Sequence, residues 1–286
     1  MTTANLVNSD LTRSIPYSSY SMEFDGTDQY IDITNTDLGL NNTTSIWFKR
    51  SATGTHTLLG SGSGGSWNNY TIQIQSTGKI RYANEDINYV EFDNATTQSI
   101  INTTDTWINI IIIRSGADAN LYVNSVDYDG TKTFSSGTTV ATVVNTIAAS
   151  GGASGGEKIF EFAGSLSNCS IYNSTLTQDQ ILTIYNGGVP NSVSSLSPVS
   201  WWSLAGDSYY DGTNWICPDL GSGGNNGTSA NMAGTELVGD APGGSANGIA
   251  TNMDIPTNLK GDAPNSSSNA FSVNMDSQDR VASVPS

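Results

Sequence analysis

Positive charge is scarce in this sequence. Its 286 residues hold 10 Lys and Arg against 26 Asp and Glu, a formal net charge of −16. Nucleic-acid binding rests on neutralising many phosphates with basic side chains, so that role is excluded, and an anionic membrane surface is disfavoured for the same reason. Histidine is rarer still. The single His56, in Gly54-Thr-His-Thr-Leu-Leu59, reads as an ordinary polar strand position. With only two distant cysteines beside it, Cys169 and Cys217, no zinc site is expected. Two cysteines are also too few for a disulfide scaffold of this size. Neither has a basic neighbour to activate it, and Cys169, inside a strand-like run, reads as a buried free thiol. No run is long and apolar enough to span a membrane. Residues 1–10 lack the basic and apolar regions of an export signal. No Gly-rich segment ends in Lys-Ser/Thr ahead of a helix, which removes phosphate-loop chemistry.

What is present is turn-rich and β-type. Gly, Ser, Thr and Asn abound, while Trp, Tyr, Phe and Ile cluster in short alternating runs. Residues 20–24 and 30–33 alternate around Asp25-Gly-Thr-Asp28, which predicts a hairpin. Residues 44–50, 57–59, 70–74, 79–82, 89–92, 158–162 and 166–172 read as further strands. Trp107 opens a nearly continuous β-branched run to Arg114, and a Ser-Gly turn leads into Leu121-Tyr-Val123, a buried hairpin. Residues 135–156 read as a long variable loop. Thr177-Gln-Asp-Gln180 is a capping box, with Ile181, Ile184 and Tyr185 on one face and Gly187-Gly188 as the stop. This is the one helix expected. Trp47, Trp107, Trp201 and Trp202 sit in strand patterns and read as core or sheet-covering residues.

Four stretches, in order, carry a family resemblance. They are Met22-Glu-Phe-Asp-Gly-Thr-Asp-Gln-Tyr-Ile-Asp-Ile33, Ser45-Ile-Trp-Phe-Lys49, the Trp107 to Asn124 hairpin, and Gly164-Ser-Leu-Ser-Asn-Cys-Ser-Ile-Tyr-Asn-Ser-Thr-Leu-Thr-Gln-Asp-Gln-Ile181. Together they resemble the laminin-G-like, concanavalin A-type jelly rolls. The resemblance implies an all-β antiparallel jelly-roll sandwich. Its expected organisation is an N-terminal arm over 1–15, the jelly roll over 16–190, and an irregular C-terminal extension over 191–286. Within that extension, Val199-Ser-Trp-Trp-Ser-Leu204 and Asp219-Leu-Gly-Ser-Gly-Gly-Asn-Asn-Gly-Thr228 resemble the strand and loop that usually open such a domain. Residues 271–284 align without a gap to residues 20–33, as if a second repeat began and stopped. The segment 199–204 is therefore expected to complete a sheet of the main sandwich, in its own chain or a neighbour.

Chemistry is thin. The related laminarinase-type jelly rolls carry Glu-x-Asp-x-x-Glu, in which residues two apart share a strand face. Here Glu91-Phe-Asp93 is followed by no third acid, so the pair reads as a solvent face and no catalytic residue is expected. Calcium needs six to eight oxygens, and Asp-rich turns can supply them. Asp25, Asp28 and Asp32, and Asp127 and Asp129, are the candidates, although a hairpin-shaping role suits the first turn as well. Exposed aromatic rings next to Asn and Asp suit sugars, whose faces stack while their hydroxyls hydrogen-bond. Trp67-Asn68-Asn69-Tyr70, and Tyr209-Tyr210 with Trp215, are the candidate ligand-binding sets.

The reading is a non-enzymatic surface protein of a bacteriophage virion, as capsid decoration or tail fibre. Its expected partners are itself, as a homo-oligomer such as a trimer or a lattice-bound cluster, other virion proteins and a cell-surface glycan. No nucleic acid or membrane partner is expected. The acidic, polar composition and the missing export signal motivate this reading. So does Asp240-Ala-Pro-Gly-Gly-Ser-Ala-Asn-Gly248 with Met253 to Pro264, which resembles C-terminal segments of laminin-G-like proteins of marine phages. The alternatives are a carbohydrate-binding adhesin module of a bacterial or algal surface protein, and a glycan-cleaving enzyme.

Overall fold

Period-two alternation carries most of the chain into strands. The computed structural model describes residues 20–61, 70–85, 88–128, 132–134, 143–151 and 158–243. The proposed arm over 1–15 and the repeat-like segment 271–284 lie outside them. In chain order the elements are β1 (Ser21–Asp25), β2 (Tyr30–Asp37), β3 (Asn41–Arg50), β4 (His56–Gly60), β5 (Tyr70–Ile74), β6 (Ile80–Glu85), β7 (Asn88–Phe92), α1 (Ala95–Ile101), β8 (Ile108–Ser115), β9 (Asp118–Val123) and β10 (Val126–Asp127). There follow β11 (Lys132–Phe134), β12 (Val143–Ile147), β13 (Ser150–Gly151), β14 (Lys158–Ile159), β15 (Ala163–Tyr172), α2 (Gln178–Tyr185), β16 (Ser200–Trp202), β17 (Tyr209–Tyr210), β18 (Trp215–Cys217), β19 (Gly227–Ala230) and β20 (Leu237–Val238).

The strands form an antiparallel jelly-roll sandwich of two large sheets. The first runs β10-β9-β8-β3-β15-β1-β20, with β16 also on β15. The second runs β11-β7-β6-β5-β4-β12-β2-β19-β18-β17. Between them lies one apolar core, drawn from alternate residues of both sheets: Met22, Phe24, Ile46, Phe48, Ile110 and Leu166 from one side, and Ile31, Leu59, Ile72, Phe92, Ile147 and Trp215 from the other. A second apolar cluster covers the outside of the first sheet. There Ile181 and Ile184 of α2 pack with Ile111, Tyr122, Tyr172 and Trp201, and Tyr185 stacks on Trp47 at 5.6 Å. The capping box of α2 forms, with the Thr177 amide donating to Gln180 Oε1 at 2.8 Å. The Trp107 to Asn124 hairpin also forms, Ile110 facing Val123 and Ser115 facing Asp118.

Three expectations are corrected. The Asp25-Gly-Thr-Asp28 turn does not close a hairpin. Strand β1 pairs with β15 and β20 in one sheet, while β2 pairs with β12 and β19 in the other. The turn is a corner between the sheets. Gly26, at φ +77°, lies so near Ala163 that a Cβ there would come within 2.7 Å of the Ala163 Cβ. Asp-Gly encodes a tight reversal, but side-chain burial selects each strand's partner. Second, residues 143–147 are not loop: β12 sits between β2 and β4 near the middle of the second sheet, with Val144 and Ile147 buried. Its Val-Val-Asn-Thr-Ile run is short, and Gly, Ser and Ala flank it on the C-terminal side. Third, α2 is not the one helix: α1 forms over Ala95–Ile101, capped by Asn94 Oδ1 accepting from the amides of Thr96 and Thr97.

The described part of 191–286 contributes five short strands to these two sheets. Strand β16 pairs with β15, as anticipated for 199–204, and does so within its own chain. Strands β17, β18 and β19 extend the second sheet from β2, and β20 borders β1. Trp202 is fully buried in the common core, its Nε1 donating to the Asn225 carbonyl at 2.8 Å. Trp202→Ala is expected to cost about 3–5 kcal/mol and to lower one cooperative unfolding transition of the whole sandwich. Calorimetry checks this. A separate low-temperature transition would mean that the C-terminal strands are an independent unit.

Candidate functional site

The face of the second sheet that points away from the core is polar, and the register shows why. Ile31, Ile33, Trp215 and Cys217 turn inward, so the residues between them turn out. One outward row runs Tyr209, Ile216, Thr228, Asp32 and Thr146 across five adjacent strands. A second runs Thr57, Gln73, Arg81, Glu91 and Thr133. Lys158 reaches over the first row. Its Nζ donates to Thr146 Oγ1 at 2.9 Å, pairs with Asp32 at 3.3 Å and sits 5.0 Å from the Tyr30 ring centroid. Burial, then the charges of Asp32 and Asp28, raise the pKa of Tyr30.

The second row is held by charge. Glu91, expected on a solvent face, is instead buried at 8% exposure, with Lys79 Nζ at 2.9 Å and Arg81 Nε at 2.7 Å on its two oxygens. Burial by itself would raise the Glu91 carboxyl, but these hydrogen bonds and charges outweigh it and leave it lowered. Asp93 is engaged by Lys79 at 3.3 Å and by Gln98 Nε2 at 2.8 Å. A general acid for glycoside cleavage needs a raised pKa, so Glu91 is tuned the wrong way for that work. Lys79-x-Arg81 and Glu91-x-Asp93 are period-two charge pairs of opposite sign, and that pattern was the sequence signal for this cross-strand network.

The aromatic candidates separate. Tyr209 is 56% exposed and Tyr210 37%, both on the edge strand β17. Trp215 is a core residue instead. It is buried, its Nε1 donates to the Ala233 carbonyl at 2.7 Å, and the Tyr210 ring lies tilted against it with centroids 5.6 Å apart. Trp67, Asn68 and Asn69 lie outside the described residues, as does the side chain of Tyr70.

The aspartates do not converge. The Asp25 carboxylate accepts from the Thr27 amide at 2.8 Å and so shapes the corner. Asp28 is exposed and lends its backbone carbonyl to Asn231, and Asp32 pairs with Lys158. Asp127 is on β10, at the edge of the first sheet far from β1, and Asp129 lies outside the described residues. Among the described residues no three His, Cys, Asp or Glu side chains come together as a metal-binding set.

Sequence reasoning missed the corner around Arg50. Its guanidinium is fully buried and donates to the carbonyls of Ile101 and Gly54 and to Asn102 Oδ1, at 3.4, 2.7 and 3.0 Å. Burial lowers its pKa. It ties the β3–β4 connection to the C-terminus of α1, where a cation also faces the negative end of the helix dipole. His56 is buried beside it, edge-on to Phe162 at 5.7 Å. Burial, aided by the Arg50 charge, lowers the His56 pKa to about 4. Cys169 and Cys217 are free and buried, and burial pushes the Cys217 thiol up to about 12 and raises that of Cys169 too. Neither is an available nucleophile.

The profile of the concanavalin A-like lectin/glucanases superfamily matches residues 25–182, and the chain belongs to that superfamily, as a laminin-G-like member. No curated protein matches the sequence. Among solved structures, a candidate carbohydrate binding protein from Bacteroides ovatus aligns at 14% identity and a TM-score of 0.55, over 79% of this chain and 61% of that one. The chain therefore spans about three fifths of that protein's length. A heptameric SAP-like pentraxin from Limulus polyphemus aligns at 16% identity, over 58% of this chain and 81% of its own, with a TM-score of 0.43. The CBM40 module of the Ruminococcus gnavus IT-sialidase, solved with α2,3-sialyllactose, aligns at 14% identity over 59% of this chain and 99% of its own, at 0.41. At 14% identity the likeness to the Bacteroides ovatus protein is one of fold alone. No helix among the described residues is long and apolar enough to cross a membrane.

Because His56 is the single histidine, its effect on stability can be isolated. Unfolded, it takes up a proton near pH 6.5; folded, it does so near 4. Stability is therefore expected to fall as pH drops from about 6.5 towards 4, by up to about 3 kcal/mol. In His56→Asn the part of that slope between pH 6.5 and 5 should vanish in urea titrations. An unchanged slope would show that His56 titrates normally in the folded protein.

Proposed function

We propose that the chain is a non-enzymatic, glycan-binding surface protein, displayed on a bacteriophage virion as capsid decoration or tail fibre and assembled as a homo-oligomer. The observation that carries the glycan reading is Tyr209 on the edge strand β17. Among the described residues Tyr209 is the most exposed large apolar side chain, and it heads an outward row that continues through Thr228 to Asp32. A flat ring on the same sheet face as hydroxyl and carboxylate groups, two and three strands away, matches an extended sugar chain, which has apolar faces and a polar rim. The superfamily and the Bacteroides ovatus neighbour favour the same reading. The state of Glu91, Asp93, His56 and the two thiols favours binding without catalysis. The virion placement rests on the phage-like segment 240–264 and on the acidic, polar composition.

Tyr209→Ala should weaken binding to the preferred polysaccharide at least tenfold in a glycan-array and calorimetry series, with melting shifted by less than about 2 °C. Trp215→Ala should do the reverse, losing stability first. Undiminished binding by Tyr209→Ala would remove the edge strand from the site. A reducing-sugar assay on algal and bacterial polysaccharides that released product would overturn the non-enzymatic reading. Mass spectrometry of purified particles, showing the chain and its copy number, tests the virion placement.

A further inference from the structure

The first sheet ends at β20, a two-residue edge strand whose Leu237 packs against the core. One side of β20 is taken by β1, with Ser21 facing Val238 and Met22 facing Leu237. Among the described residues its other side has no strand. An apolar sheet edge of this kind is a template for strand addition.

The sequence supplies a second segment with the apolar pattern of the strand that β20 already accepts. Residues 271–275, Phe-Ser-Val-Asn-Met, align with residues 20–24, Tyr-Ser-Met-Glu-Phe. The structure shows what that alignment preserves. Met22 and Phe24, the two side chains β1 sends into the core, fall opposite Val273 and Met275, and Glu23, exposed, falls opposite Asn274. It also shows what the alignment forbids. Ser277 stands where Gly26 turns the corner against Ala163, and a Cβ at that point would come within 2.7 Å of the Ala163 Cβ. The C-terminal segment therefore matches the apolar pattern of β1 but could not replace it at its corner.

We infer that the outer edge of β20 is a strand-accepting site and that its occupant is residues 271–275 of the same chain, antiparallel to β20. Reach permits it. Twenty-seven residues, 244 to 270, separate the last described residue from Phe271. They span up to roughly 90 Å extended. Gly243 packs on Val189, and Asp240 behind it is held by Lys49 on β3. From β3 back to β20 is three strand spacings, about 15 Å. A linker of this length gives an effective concentration near millimolar, so at micromolar protein the chain's own segment outcompetes that of a second copy.

The test uses the full chain. Hydrogen exchange of the peptide covering residues 235–240 is compared between wild type, Val273→Asp/Met275→Asp and the control Asn274→Asp. The double variant should exchange there at least tenfold faster, with the control and the melting temperature unchanged and all three proteins of the same assembly size by light scattering. Equal exchange in the three proteins overturns the proposal. Faster exchange in the double variant, joined to an assembly smaller than the one the wild type forms, assigns the site to a second copy and overturns the same-chain occupant.

Discussion

Strand β15 has backbone partners on both edges. On one side it runs against β3 from Gly164 to Tyr172. On the other it takes β1 first and β16 second, the change falling at Asn168, where the backbone turns to φ +45° and the amide bonds to the Ser203 carbonyl at 2.8 Å. The irregularity between Ser167 and Ser170 makes room for two short strands where one long strand would otherwise lie. N-terminal and C-terminal parts of the chain are thereby fastened to a single central strand. Remove either and β15 loses hydrogen bonds in a setting where its side chains are already dry, which costs more than an exposed edge would.

The second sheet depends on a different arrangement. Its outer face carries polar groups that are largely withdrawn from water, including Thr57, Gln73, Thr146 and Glu91. Such groups are tolerable only when they satisfy one another. Gln73 accepts from Gln75 and donates to Thr57, Thr146 receives Lys158, and Glu91 holds two cations. A chain with 10 basic residues places Lys79, Arg81 and Lys158 on this one face. Scarce as positive charge is, three of the ten basic residues are used to hold one sheet surface together.

Much of this was legible in the sequence, and the failures have physical causes. Alternating runs located most strands, and the capping box located α2, because those signals are local. The corner at Gly26 was misread since Asp-Gly specifies only a reversal; which strand lies beside β1 is decided by Met22 and Phe24 finding the same core side as Leu166. Strand β12 was missed because Asn145 and Thr146 interrupt its apolar pattern, and their partners, Asn35 and Lys158, are more than ten residues away in sequence. Tyr209 and Trp215 looked alike as exposed aromatics; only the Ala233 carbonyl and the core around the indole separate them.

Strands β1 and β20 are hydrogen-bonded neighbours, so the described chain starts and finishes on adjacent rungs of one sheet. A fold with that property has no privileged beginning. Its backbone can be opened at one surface connection and closed at another without altering a single pairing in either sheet. The Trp201-Trp202 strand and the Asp219 to Thr228 loop, which resemble the opening of a jelly roll, come near the close of this one and still reach the place beside β15 and β2 that the architecture reserves for them. In evolutionary terms, such a sandwich behaves as a circle of segments, whose order along a chain can change while the pairings between them stay.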